Sequence, residues 1–244
     1  MAWLGGCLAG LLGGTRLGRW EYYFRPHVRS AFGPLNGSPF RQKVFSSLAS
    51  TGLLEAIIET GTFRGTSTEY FARTGLPVYS VEAVPRYFGF AQARLRALPH
   101  VEVRLGDSRS FLIGLSREPA VPKTRVFFYL DAHWSHDLPL RDELLTIFQH
   151  WTEPIVMIDD FEVPTDPGYG FDDYGHGHAL NLDYLAPLAP LGFRCFFPTA
   201  PAADEVEPRR GWVVLARAGQ GAALLGTMPE LREHLPAGSS PPSE

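Results

Sequence analysis

The sequence predicts an open α/β sheet, mostly parallel and finished by an antiparallel hairpin, and three observations carry that reading. Apolar, β-rich runs alternate with helix-like stretches along most of the chain. Several of these runs lack alternating polar positions, as expected of strands covered on both faces. The last two runs, "FRCFFPT" and "GWVVLARA", are joined by "APAADEVEPRR", too short for a crossover helix, so they pair antiparallel.

In chain order, "MAWLGGCLAGLLGGTRLGRW" reads as a loosely ordered or surface-packed arm. It lacks the basic segment that precedes a secretory core, although a cleaved signal is the alternative, and it is too short and glycine-rich to span a membrane. A turn, "FGPLNGSPF", leads into a helix in "FRQKVFSSLAS". Strands follow in "AIIETG", "PVYSVEA", "VEVRLGD", "RVFFYLDA" and "PIVMIDD". Helices fall between them in "TSTEYFART", "PRYFGFAQARLRAL", "SRSFLIGLS" and "LPLRDELLTIFQHW". The organisation expected is an arm and cap over residues 1–50, one domain over 51–220, and a C-terminal extension over 221–244 whose tail, "PAGSSPPSE", has little to bury.

The 244 residues suffice for one sizeable core, and 45% hydrophobic with 20% charged residues is ordinary for a soluble chain. A net charge of −4 gives no general reason to expect nucleic acid. The two cysteines, Cys7 and Cys195, form no metal-spaced cluster and fit a reduced, cytoplasmic compartment.

The strand ends carry the chemistry. Glu59, Glu82, Asp107, Asp131 and the pair Asp159–Asp160 close the five parallel strands, so one rim of the sheet collects carboxylates. In open α/β sheets ligands bind at that rim. Helix capping accounts for any one strand end but poorly for all five. The turn "GTFRGTST" lacks both the G-x-G-x-x-G spacing and a G-K-[ST] ending, which argues against a dinucleotide site and a P-loop. A nucleoside without a phosphate chain, bearing positive charge near Glu59, fits better.

The ordered series "ETGTFRGTS", "VYSVEA", "VRLGDS", "FFYLDAHW" and "IVMIDDF" resembles the motifs of class I S-adenosylmethionine-dependent methyltransferases, over roughly residues 55–217. The resemblance implies a Rossmann-like sheet of seven strands with helices on both faces. It implies that Gly61 and Gly65 admit the cofactor to the backbone, with Thr62 and Ser67 beside them. It sets Glu59 near the charged methionine portion, Glu82 on the ribose hydroxyls, Asp107 and Ser108 beside the adenine, and Asp131 next to the cofactor.

Asp131, Asp159 and Asp160 come from neighbouring strand ends and could converge as three hard oxygen ligands for Mg²⁺. Their spacing resembles metal-dependent O-methyltransferases of the catechol and macrolide-sugar types, in which a metal binds neighbouring hydroxyls and eases deprotonation of one. The alternative is no metal, with Asp131 serving the cofactor and Asp159 capping a loop. His133 is the candidate base. His136 more simply bonds its loop, Trp134 is packing or pocket lining, and the lysine of the catechol enzymes has no counterpart here. The loop "EVPTDPGYGFDDYGHGHALN" reads as a lid, with Asp172, Asp173, His176 and His178 as alternative ligands. The expected activity is methyl transfer from S-adenosylmethionine to a small hydroxylated acceptor. A silent nucleoside-binding scaffold, or a metal-independent transferase using His133, are the alternatives. No membrane span is expected, and a homo-oligomer is compatible with the sequence.

Overall fold

The computed structural model describes residues 2–29, 33–133, 137–175 and 177–235, with the backbone alone for 2–12. The expectations for Trp134, His136, His176 and the tail after residue 235 lie outside the described residues.

Five strands come first: β1 (Ala56–Thr60), β2 (Val78–Glu82), β3 (Val101–Leu105), β4 (Val126–Leu130) and β5 (Ile155–Asp159). Of these, β1, β2, β4 and β5 are apolar runs largely buried on both faces, and β3, at the edge, alternates with charged residues. They pair in parallel, and β5 is followed by antiparallel β7 (Trp212–Arg217), β6 (Phe193–Pro198) and β8 (Leu231–His234). The order is β3-β2-β1-β4-β5-β7-β6-β8. The hairpin is as the sequence predicts; the strand count is eight rather than seven. The extra strand, β8, lies in the stretch assigned to a C-terminal extension. There α8 (Gln220–Thr227) returns the chain to the exposed edge of β6.

Successive strand residues face opposite sides, and the core divides accordingly. On one side Ile58, Phe128, Leu130, Val156 and Ile158 meet α5 (Ser108–Arg117) and α6 (Leu140–His150) through Leu112, Leu115, Leu144 and Ile147. On the other, Ile57, Phe127, Tyr129 and Met157 meet α2 (Pro39–Ser50), α3 (Thr66–Ala72) and α8 through Phe45, Leu48, Phe71 and Leu225.

The N-terminal segment forms a helix, α1 (Ala2–Phe24), kinked where Gly13 leaves helical angles. It lies along α4 (Pro85–Leu95) at backbone contact: a Cβ on Gly18 would sit 1.8 Å from the Arg86 carbonyl oxygen, and one on Gly89 2.0 Å from that of Thr15. A short helix, α7 (Leu182–Leu185), precedes β6.

The lid expected over residues 161–180 is bonded into the body. Glu162 N donates to Leu180 O at 2.8 Å, Gly170 N to Arg209 O at 3.0 Å, and Gly211 N to Gly170 O at 2.8 Å. Phe161, Tyr169 and Leu180 are buried.

Candidate active site

Strand order reverses between β1 and β4, the place where a cleft opens in sheets of this kind. The rim stays paired past the strands themselves: Asp131 N donates to Thr60 O at 2.9 Å, and Gly106 N to Glu82 O at 3.0 Å. A cleft of about 1080 Å³ lies there, lined from one end by Gly61, Phe63, Glu82, Tyr87 and Asp107–Ser108, and from the other by Asp131, His133, Asp160, Asp172 and Arg210.

Gly61 makes this approach possible. Its φ is +89°, and a Cβ there would stand 2.3 Å from the Asp131 carbonyl oxygen. The turn after it brings the Phe63 N–H to Glu82 Oε2 at 2.6 Å, while Val84 N donates to Oε1 at 2.8 Å. Glu82 is thus fixed in orientation at the cleft wall, and burial raises its pKa from the usual value against those two bonds. Phe63 and Tyr87 meet edge to face at 4.4 Å beside it. Asp107 caps α5, accepting from Arg109 N at 3.1 Å and Ser110 N at 3.2 Å. Its capping role and its place on the cleft wall coincide.

Four residues expected at the cofactor stand behind this wall instead. Glu59 is buried and accepts from Thr68 Oγ1 at 2.5 Å and Ser80 Oγ at 2.6 Å. Burial pushes its pKa up to about 7, against those two bonds. Its apparent partner is the hydroxyl pair, which ties α3 and β2 to the end of β1. Thr62 Oγ1 bonds Ser80 Oγ at 2.5 Å, and Ser67 Oγ accepts from Leu35 N at 2.9 Å. Gly65 frees space for α4, where a Cβ would meet Leu95 and Ala91 at 3.1 and 3.3 Å.

The expected trio Asp131, Asp159 and Asp160 requires a correction. Asp159 is fully buried and its oxygens are taken. Arg41 Nη2 stands 2.9 Å from Oδ1, which also accepts from Asp160 N at 2.9 Å; Tyr129 Oη and Asn36 Nδ2 each donate to Oδ2 at 2.6 Å. A carboxylate so saturated has no lone pair turned toward the cleft. Asp131, His133 and Asp160 come together instead, with one donor atom of each within 4.8 Å of the others.

His133 Nε2 is buried without a hydrogen-bond partner among the described residues, 3.8 Å from Asp160 and 4.0 Å from Asp172. Burial opposes its protonation, but Asp160 and Asp131 outweigh that and hold the imidazole at about 9. For Asp160, burial is likewise overcome by His133 and Arg210, which bring it down to about 2. Burial together with the Asp159 and Asp160 charges pushes Asp131 well above the usual carboxylate range. Arg210 bridges Asp160 and Asp172, closing the far end of the cleft. Asp173 and His178 do not line it; Asp173 Oδ1 accepts from Gly175 N at 2.8 Å.

Asn36, Arg41 and Arg210 are the site residues that the sequence did not single out, while Asp172, an alternative ligand there, does line the cleft. Asn36 had a signal, its place in "PLNGS"; Leu35 and Asn36 both adopt left-handed angles, φ 53° and 52°, which turn the Asn36 amide toward Asp131 and Asp159.

No family model and no curated protein sequence matches the chain. Solved structures do. An O-methyltransferase from Bacillus cereus in complex with S-adenosylhomocysteine superposes with a TM-score of 0.57 at 16% identity, covering 88% of this chain and 96% of that one. The O-methyltransferase TomG from Streptomyces achromogenes, in complex with S-adenosylmethionine, gives 0.52 at 17% identity over 74% of this chain and 79% of its own. The chain has the fold of class I S-adenosylmethionine-dependent methyltransferases.

Proposed function

We propose that the protein transfers a methyl group from S-adenosylmethionine to a hydroxyl of a small polyhydroxylated acceptor, with a divalent cation at Asp131, His133 and Asp160. The observation that carries this reading is the division of one cleft into two unlike ends. One end offers a nucleoside an oriented carboxylate, Glu82, beside the Phe63 and Tyr87 rings and the capped start of α5. The other offers charge: two aspartates, an imidazole with an unpartnered nitrogen, and the Arg210–Asp172 pair.

In this reading Glu82 accepts the ribose hydroxyls, which its fixed carboxylate can do without further ordering. Gly61 lets the ends of β1 and β4 lie at backbone contact, which sets the floor of the cleft between donor and acceptor ends. Arg41, Asn36 and Tyr129 hold Asp159, and through its bond to Asp160 N they fix the backbone that presents Asp160. Bound at the trio, a divalent cation would bind acceptor hydroxyls and lower the pKa of one.

The residues present fit a cation by the orphaned buried Nε2 of His133 and the nearness of two carboxylates. The inclusion of an imidazole shifts the preference from Mg²⁺ toward a softer ion such as Mn²⁺. The metal-independent alternative with His133 as base is the weaker one. Without a cation, its neighbours Asp160 and Asp131 favour a proton on the ring.

The test is transfer from labelled S-adenosylmethionine to a panel of hydroxylated metabolites, run in chelator and after adding Mn²⁺ or Mg²⁺. Transfer restored by either ion supports the reading. Full transfer by protein shown metal-free by elemental analysis would remove the cation from it.

A further inference from the structure

Helix α1 carries a surface that the cleft does not use. Leu17, Gly18 and Glu21 face α4 and are buried, which turns Arg16, Arg19, Trp20, Tyr23 and Phe24 outward along one side of the helix. Trp20, Tyr23 and Phe24 are 36%, 43% and 68% exposed, a grouping of large aromatics found nowhere else among the described residues. The Trp20 and Phe24 rings stack at 5.7 Å. Arg25 lies over Trp20 at 5.6 Å, and Arg96, just after α4, lies over Tyr23 at the same distance.

The charge around these rings has one sign. Residues 1–29 contain four arginines and one glutamate, a net +3 in a chain of net −4. The glutamate, Glu21, is 4% exposed and already held by Arg86 and Arg25, so it does not reach the surface. The first twelve residues, which lead into this patch, contain no charged side chain.

We propose that this aromatic and arginine face of α1 docks the protein on an anionic phospholipid surface. Amphipathic rings settle at the level of lipid headgroups, and guanidinium groups beside them pair with phosphates. Stacked, preordered rings lose little freedom on docking. Gly18 and Gly89 lock α1 to α4 at backbone distance, so what the patch binds, the whole sheet follows. None of these α1 residues lines the cleft, and Arg96, over Tyr23, stands about 18 Å along the helix from Val84, which does.

The experiment is flotation of the full chain with phosphatidylcholine vesicles, with and without phosphatidylserine, at low and high salt. The wild type should float with the anionic vesicles at low salt and be released as the Debye length shrinks. Trp20→Ser with Phe24→Ser should lower the bound fraction roughly tenfold. Arg16→Gln with Arg19→Gln should remove the preference for phosphatidylserine. All these positions are exposed, and an unchanged thermal midpoint checks that the variants fold. Absence of flotation with anionic vesicles would overturn the proposal. So would flotation that survives the aromatic substitutions, since the first twelve residues would then be responsible. Wild-type dimers that the same substitutions dissociate, without lipid binding, would assign the patch to a second copy of the chain and overturn it equally.

Discussion

At the scale of single residues, the strand-end carboxylates divide into those that face the cleft and those that brace it. Glu59 braces. Its native pKa of about 7 stands above the unfolded value of 4.5, so the folded state binds the proton more tightly. That contribution to stability is complete below pH 4.5 and is lost as pH rises toward 7; the difference is worth roughly 3 kcal/mol. Glu59→Gln should therefore gain stability relative to wild type between pH 5 and 7.5, measured by urea unfolding. A constant difference across that range would mean the carboxylate is ionised throughout.

Asp159 braces in another way, as the buried partner of Arg41. Arg41→Met should cost about 3–5 kcal/mol of unfolding free energy, because it leaves a buried charge without its cation. The corrected metal trio makes a sharper prediction, readable by calorimetric titration of Mn²⁺ alone. Asp131→Asn and Asp160→Asn should each weaken Mn²⁺ binding by at least tenfold, and His133→Gln should do the same. Failure of all three to matter would leave the cluster without an ion.

At the scale of elements, the parallel strands and their helices were legible because the strands are apolar runs, or in β3 an apolar–charged alternation, between amphipathic helices. The hairpin was legible from the length of its connector. Two elements were not. "LREH" is four residues with two charges on an edge strand, too short and polar to register as a strand, and it forms because β6 leaves an unpaired edge. The glycines of "AWLGGCLAGLLGG" argue against a helix locally, yet α1 runs through them; at the end of that stretch Gly14, and beyond it Gly18, lie against Pro85 and Arg86 of α4, where small residues are required. The rim was legible as a set of carboxylates, but not which way each turns. The partner of Asp159 lies on α2, 118 residues away in sequence, and the donors to Glu59 are ordinary hydroxyls. Gly61 is where element and site meet. Gly61→Ala should separate the ends of β1 and β4, since 2.3 Å to the Asp131 carbonyl leaves no room for a methyl group. The expected result is a loss of more than about 2 kcal/mol of stability, together with weaker S-adenosylhomocysteine binding. An unchanged melting midpoint would show that the turn can relax.

At the scale of the molecule, a doubly covered sheet holds a cleft whose two ends differ in chemistry, and an exposed aromatic face of α1 lies outside that cleft. The cleft is the centre of the account, and the identity of its occupant can be read without knowing the acceptor. The most direct measurement is a calorimetric titration of S-adenosylhomocysteine into the wild type and into Glu82→Ala. The wild type should bind one equivalent, and the variant, folded by circular dichroism, should bind at least tenfold more weakly through the loss of two charge-assisted hydrogen bonds. A wild type that binds no S-adenosylhomocysteine, or a folded variant that binds it as tightly, would contradict the account.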